Sequence, residues 1–193
     1  MLKSPGLPAD LVIVATSSDR GGAARFTPRP ASEKDRGSIV VEAAFLIPVF
    51  MVLAFGIIDF GLALTNQNAV RNGAREGARS GVVAEFGSDA SCPITGAGSP
   101  SQETKSLICL TKQRVGLEDA ATRVKIDWPN EYKPGDPLVV CVDYPLDSVT
   151  GMFDPVLDGK SLRTRVEMRI EQLDAGLGEF AETLPDGRDW SWC

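Results

Sequence analysis

The apolar positions of this chain fall into three regimes. In the first, from Ile39 to Leu64, Glu42 and Asp59 are the only charged residues, and residues 43–58 carry no charged or strongly polar side chain. About 20 apolar residues span a bilayer, and a soluble surface helix would keep one polar face. The pattern therefore predicts a transmembrane helix over 38–64. A cleaved secretory signal is the rival reading, but its apolar core runs to only about 7–15 residues. Pro48 lies inside the run, where it removes a helical hydrogen bond and tends to kink the helix. Membrane helices tolerate this when local adjustment satisfies the freed carbonyl.

The second regime has helical period, and it predicts an amphipathic extension of the same helix over 65–86. Ala69, Gly73, Gly77 and Gly81 form one i, i+4 row. Val70, Ala74, Ala78 and Val82 form the next row, and Arg71, Arg75 and Arg79 a third. A small-residue stripe lets a helix or sheet approach closely. An arginine row suits lipid phosphates or acidic neighbours. An ordinary amphipathic helix packing on its own domain gives the same pattern.

In the third regime, over 87–173, helical and alternating periods share a head domain. "GSDASCPITGAGSP" (87–100) reads as a loop. Ser99 through Gln102 has the form of a capping box with Pro100 at the first helical position, so a short helix is expected over 100–114. Strand patterns follow at 122–128, 138–144 and 162–171, with a turn at Lys133-Pro134-Gly135-Asp136. The last strand alternates strictly, Leu162, Thr164, Val166, Met168 and Ile170 against Arg163, Arg165, Glu167, Arg169 and Glu171, which predicts one buried and one wet face. Residues 174–193 read as a loose tail held by Cys193. Residues 1–37 read as a cytoplasmic leader, with "LVIVATSS" as a possible short strand and Arg20–Pro30 as disordered. The fold class is α+β: a long N-terminal transmembrane and amphipathic helix packed on a small antiparallel β-sheet head.

Composition narrows the function. With 20 Lys+Arg against 26 Asp+Glu the chain is mildly acidic, which disfavours a nucleic-acid partner. It has no histidine, which removes histidine-based triads and the usual zinc sites. No nucleophile motif, phosphate loop or metal-ligand spacing emerges. We therefore expect no enzyme, no cofactor and no metal site.

Cys92, Cys109, Cys141 and Cys193 all follow the apolar run. An even count on one side of a membrane reads as disulfides in an oxidising compartment. Basic residues flank both ends of the span nearly equally, so the positive-inside rule does not orient it. The cysteines do: the N-terminus is expected in the cytoplasm and residues after about 65 outside it. Four cysteines allow three pairings. The local Cys92–Cys109 bridge closes easily across a Gly-rich loop, which leaves Cys141 for Cys193. The second pairing requires that Cys193 reach the strand face shared by Val139, Cys141 and Asp143.

At the start of the apolar run stands Arg36-Gly37-Ser38-Ile39-Val40-Val41-Glu42. This resembles a type IV prepilin cleavage site, which a membrane aspartyl peptidase cuts after the glycine. The resemblance implies a cut between Gly37 and Ser38 that leaves the apolar helix on the mature protein. It gives Glu42 a role in pairing with the new Ser38 amine of a neighbouring subunit.

The likeness extends through "FGIIDFG" (55–61) and "AREGAR" (74–79). Together with Pro48, these resemble the TadE-like minor pseudopilins of tight-adherence (Tad, or Flp) pilus systems, which usually carry an acid at the position of Asp59. That resemblance implies a type IV pilin-like form and a structural role in pilus assembly or adhesion. Its implied partners are a prepilin peptidase, other pilin or pseudopilin subunits, the assembly platform and membrane lipid.

Asp59 lies 21 residues beyond Ser38, about 32 Å along a helix, which is near the outer membrane interface. It reads either as a hydrated structural anchor or as a partner for an arginine of a neighbouring subunit. A second function remains open, that of a single-pass membrane protein whose disulfide-tied outer domain binds a ligand or cell-wall component.

Overall fold

A computed structural model describes residues 33–85, 87, 91–129, 132–171 and 176–193. The expected strand at "LVIVATSS" and the disordered stretch at Arg20–Pro30 lie outside the described residues. The chain divides into two units, Met1–Glu42 and Ala43–Cys193. In the first unit the described residues are helical from Glu33, where helix α1 (Glu33–Val82) begins.

In the second unit α1 passes through Pro48 as one element. From Phe45 to Leu53 every residue is exposed. Burial begins where the head meets the helix. The row Val70, Ala74, Ala78 and Val82 enters the core. The glycine row lies against helix α2 (Gln102–Val115). A Cβ on Gly73 would stand 2.6 Å from the backbone nitrogen of Val115, and one on Gly81 would stand 2.6 Å from Leu138 Cδ2. Close approach of the two helices thus requires glycine, which outweighs its cost of roughly 1 kcal/mol per site in helix propensity. The arginine row Arg71, Arg75 and Arg79 stays exposed. The helix ends at Val82 rather than near residue 86, because Ala84 adopts a left-handed conformation (φ 56°) and Glu85 N–H closes back on Ser80 O at 3.1 Å.

Helix α2 starts two residues later than its capping pattern predicts. Ser101, not Ser99, is the cap: its Oγ accepts from Thr104 N at 3.2 Å. Gly178 decides this register, because Thr104 Oγ1 donates to Gly178 O at 3.0 Å and accepts from Gly178 N at 2.7 Å. The helix closes on Gly116 in the left-handed region (φ 67°).

Four strands form one antiparallel sheet in the order β3-β2-β1-β4: β1 (Arg123–Asp127), β2 (Pro137–Pro145), β3 (Ser161–Arg169) and β4 (Phe180–Ala181). A single helical turn, α3 (Asp154–Leu157), separates β2 from β3. Leu138, Val140 and Val142 of β2 join Val124, Ile126, Leu107 and Ile108 in one core with α1. The protein is therefore α+β, with a long apolar helix packed on a small antiparallel sheet.

The alternation expected of β3 is present, with Arg163, Arg165, Glu167 and Arg169 exposed opposite half-buried Leu162, Thr164, Val166 and Met168, whereas the expectation of a loose tail is corrected. Val139, Cys141 and Asp143 on the second face of β2 are buried. The segment after residue 176 supplies β4 and then a short 3-10 turn at Pro185–Gly187. It covers β2 and binds there by the Cys141–Cys193 bridge. Asp143 Oδ2 accepts from Ser161 Oγ at 2.7 Å and from Arg163 Nε and Arg188 Nη1, both at 3.3 Å. Arg163 also stacks over the ring of Trp192, 5.4 Å from its centroid. A buried carboxylate is tolerable here because opposite charge faces it from two sides, Arg163 at Oδ2 and Arg188 Nη2 3.2 Å from Oδ1.

A second buried pair ties the tail to α2. Lys112 Nζ lies 2.9 Å from Glu182 Oε1, both side chains being fully buried. Lys112 also donates to Pro93 O (2.6 Å) and Asp119 O (3.2 Å). Glu182 accepts from Val124 N (2.8 Å) and Thr95 N (3.0 Å).

Candidate functional site

The residues singled out by sequence fall at separate places. In the first unit, Gly37, Ser38 and Glu42 lie on α1, and all three are exposed. A side chain built on Gly37 would meet nothing within 4 Å. Glu42 has no hydrogen bond or ion pair among the described residues.

Asp59 lies in the second unit and is enclosed by the chain itself. It is only 3 % exposed. Its Oδ2 accepts from Ser148 Oγ at 2.6 Å and Thr150 Oγ1 at 2.7 Å. Its Oδ1 accepts from the backbone N–H of Val149 (3.2 Å) and Thr150 (3.1 Å). Its hydrogen-bond donors thus come from the chain's own 148–150 loop. Four short-range donors replace the water that a carboxylate would otherwise need.

The loop is shaped for this contact. Gly151 takes the left-handed conformation (φ 73°), and its N–H binds Ser148 Oγ at 2.9 Å, which aims that hydroxyl at Asp59. Phe153 then packs edge-on against Phe60, with ring centroids 5.6 Å apart. The ring also faces Gly56, where a Cβ would stand in ordinary van der Waals contact, 3.4 Å from Phe153 Cζ. Sequence reading missed Ser148, Thr150 and Phe153. The available signal was Ser-x-Thr-Gly, a turn sequence with two hydroxyls, next to an apolar pair.

Cys92 and Cys109 are bonded with Cα atoms 5.4 Å apart, fastening the loop before α2 to that helix. Cys141 and Cys193 are bonded with Cα atoms 6.1 Å apart. Near this second bridge, hydrogen bonds from the Ser191 hydroxyl and N–H hold the Asp189 carboxyl below its ordinary range. Among the described residues no group of histidine, cysteine or acidic side chains is arranged to hold a metal ion.

Helix α1 is, among the described residues, the one helix long and apolar enough to cross a membrane, and its apolar stretch is unburied. These features define a class: a membrane-anchor helix carrying a small, disulfide-bonded α+β head. Residues 37–79 match the family model described as TadE-like protein. The match covers the apolar helix and its amphipathic extension and ends at Arg79, before most of the head. No curated protein and no solved structure matches the chain.

Proposed function

We propose that this chain is a minor pseudopilin-like membrane subunit of a Tad/Flp-type pilus assembly system, with a structural role in assembly or adhesion. A prepilin peptidase cuts after Gly37, and Ser38 becomes the mature N-terminus. The exposed carboxylate of Glu42 then pairs with the Ser38 amine of a neighbouring subunit. An unpaired charge in lipid is penalised, whereas a matched pair is tolerated, so the pairing sets register between subunits. The leader lies in the cytoplasm, and the head lies outside it, where an oxidising compartment sustains the two bridges. Other pilin or pseudopilin subunits, the assembly platform and membrane lipid are the partners.

One observation carries this reading. The TadE-like match begins at Gly37, the residue before the proposed cut, and continues through the whole apolar helix. Mass spectrometry of the native N-terminus tests it. A mature chain starting at Ser38 is expected. An intact chain in piliated cells, or one cut after the apolar run, overturns the processing step.

A further inference from the structure

We propose that the loop carrying Val149, Met152 and Val156 seats on the outer surface of the bilayer that α1 crosses. The three side chains enter the boundary between headgroups and acyl chains of zwitterionic lipid. This rests on the membrane-anchor reading of α1 and adds a second point of lipid contact, from the head.

The distribution of exposed apolar side chains supports it. Large hydrophobic residues are exposed along α1 from Ile39 to Leu64. Among the described residues outside that helix, the large exposed hydrophobics are Val149 (72 %), Met152 (42 %) and Val156 (53 %), all in this one segment. The segment is held at the level of α1 where the exposed apolar surface is still continuous, since Ser148 and Thr150 bind Asp59 and Phe153 packs on Phe60. Ile57, Phe60 and Leu64 are exposed around that level. The apolar surface of the helix and that of the loop therefore adjoin.

The loop is also built inside out for a water-facing turn. Its hydroxyls point inward to Asp59, and Val149, Met152 and Val156 point outward while Phe153 and Leu157 pack against the protein. Most of its backbone donors are satisfied internally: Val149 and Thr150 N–H bind Asp59, Gly151 N–H binds Ser148 Oγ, and Val156 and Leu157 N–H both bind Phe153 O at 2.9 Å. Asp158 N–H binds Asp154 O at 2.8 Å. Backbone entering an apolar layer must be satisfied in this way. Asp147, Asp154 and Asp158, which line a shallow depression with Leu146 and Ser148, repel anionic headgroups and select a neutral surface. Three apolar side chains make a weak anchor alone, but in a chain already tethered by α1 they fix the tilt of the head.

Depth-dependent fluorescence quenching tests the inference. The full chain, its native cysteines paired, is placed one copy per phosphatidylcholine nanodisc. An environment-sensitive dye is attached at Met152→Cys and, independently, at Val156→Cys. Phe50→Cys in the apolar run and Gln113→Cys at an exposed position of α2 are companions. The loop dyes are expected to be quenched by lipid brominated near the headgroup end of its acyl chains. They should also be several-fold less accessible to aqueous iodide than the dye at Gln113. Iodide access equal to that at Gln113, with the Phe50 dye still quenched by deeply brominated lipid, overturns the inference and leaves the anchor standing. Shielding that appears only with two copies per disc overturns it in favour of a second copy of this chain. Failure to quench the Phe50 dye means the anchor reading itself has failed, and the inference falls with it.

Discussion

Asp59 and Thr150 stand 91 positions apart in the chain, yet the Thr150 hydroxyl lies 2.7 Å from Asp59 Oδ2 and its N–H 3.1 Å from Oδ1. One residue of the loop thus engages both carboxylate oxygens. Hydrogen bonds to a charged group contribute about 1.5–3 kcal/mol each. Asp59→Ala should release the loop while leaving the core intact. Amide exchange at Val149 and Thr150 should accelerate by roughly one to two orders of magnitude, while α2 amides stay unchanged. Unaltered exchange in the loop would show that Phe153 alone holds it.

Gly73 and Gly61 offer a matched pair of substitutions. A side chain at Gly73 meets Val115 backbone, which cannot step aside, whereas one at Gly61 meets nothing within 4 Å. Gly73→Ala should therefore destabilise the head by about 1–3 kcal/mol despite its better helix propensity. Gly61→Ala should be neutral or stabilising by up to roughly 1 kcal/mol. Chemical denaturation in detergent, followed by tryptophan emission, compares the two, and equal midpoints would refute the close-packing role.

The buried Lys112–Glu182 pair predicts an asymmetric response. Lys112→Met strands the Glu182 carboxylate without its cation and should cost about 3–5 kcal/mol. Combining it with Glu182→Gln should recover part of that loss, because the neutral amide removes the stranded charge while its oxygen still accepts from one of the two N–H donors, Val124 or Thr95. A double variant as unstable as the sum of the singles would deny the coupling.

Opening the Cys141–Cys193 bridge should free the tail selectively. The bridge closes a loop of 52 residues, for which the chain-entropy estimate is about 4 kcal/mol. In Cys193→Ser, trypsin should cut at Arg188 under conditions where the parent chain resists. The emission of Trp190 and Trp192 should shift to the red. A tail still resistant to trypsin would mean that Arg188–Asp143 and Glu182–Lys112 hold it without the bridge.

Glu42→Ala should leave cleavage after Gly37 largely intact and impair incorporation into the pilus or its subcomplex. Glu42→Asp should retain part of that function. Normal piliation with Glu42→Ala would rule out the pairing with the Ser38 amine.

Local period made much of this architecture readable. The Val70 row, the glycine row and the alternation of β3 each follow from one repeat acting on neighbouring residues. The start of α2 was less legible, because Ser99 and Ser101 both offer a cap and the choice belongs to Thr104 and its distant partner Gly178. The tail reads as loose because Glu182 and Arg188 are charged. Their burial becomes acceptable only through Lys112 and Asp143, which lie on other elements. Asp59 shows the same limit. Hydropathy states what a carboxylate costs in an apolar run, but it does not reveal a loop some 90 residues downstream that carries matching donors.

The long reach of α1 along the head has a mechanical consequence. The helix is gripped at Asp59 and again at Gly73, Gly77 and Gly81. The outermost of these grips, at Asp59 and Gly81, are 22 positions and so about 33 Å apart. A pull along the helix axis loads both grips at once, in shear, rather than peeling them open one after the other. Axial tension between anchor and head is thereby shared by a charged latch and a close-packed seat, and the head slides off only when both yield together.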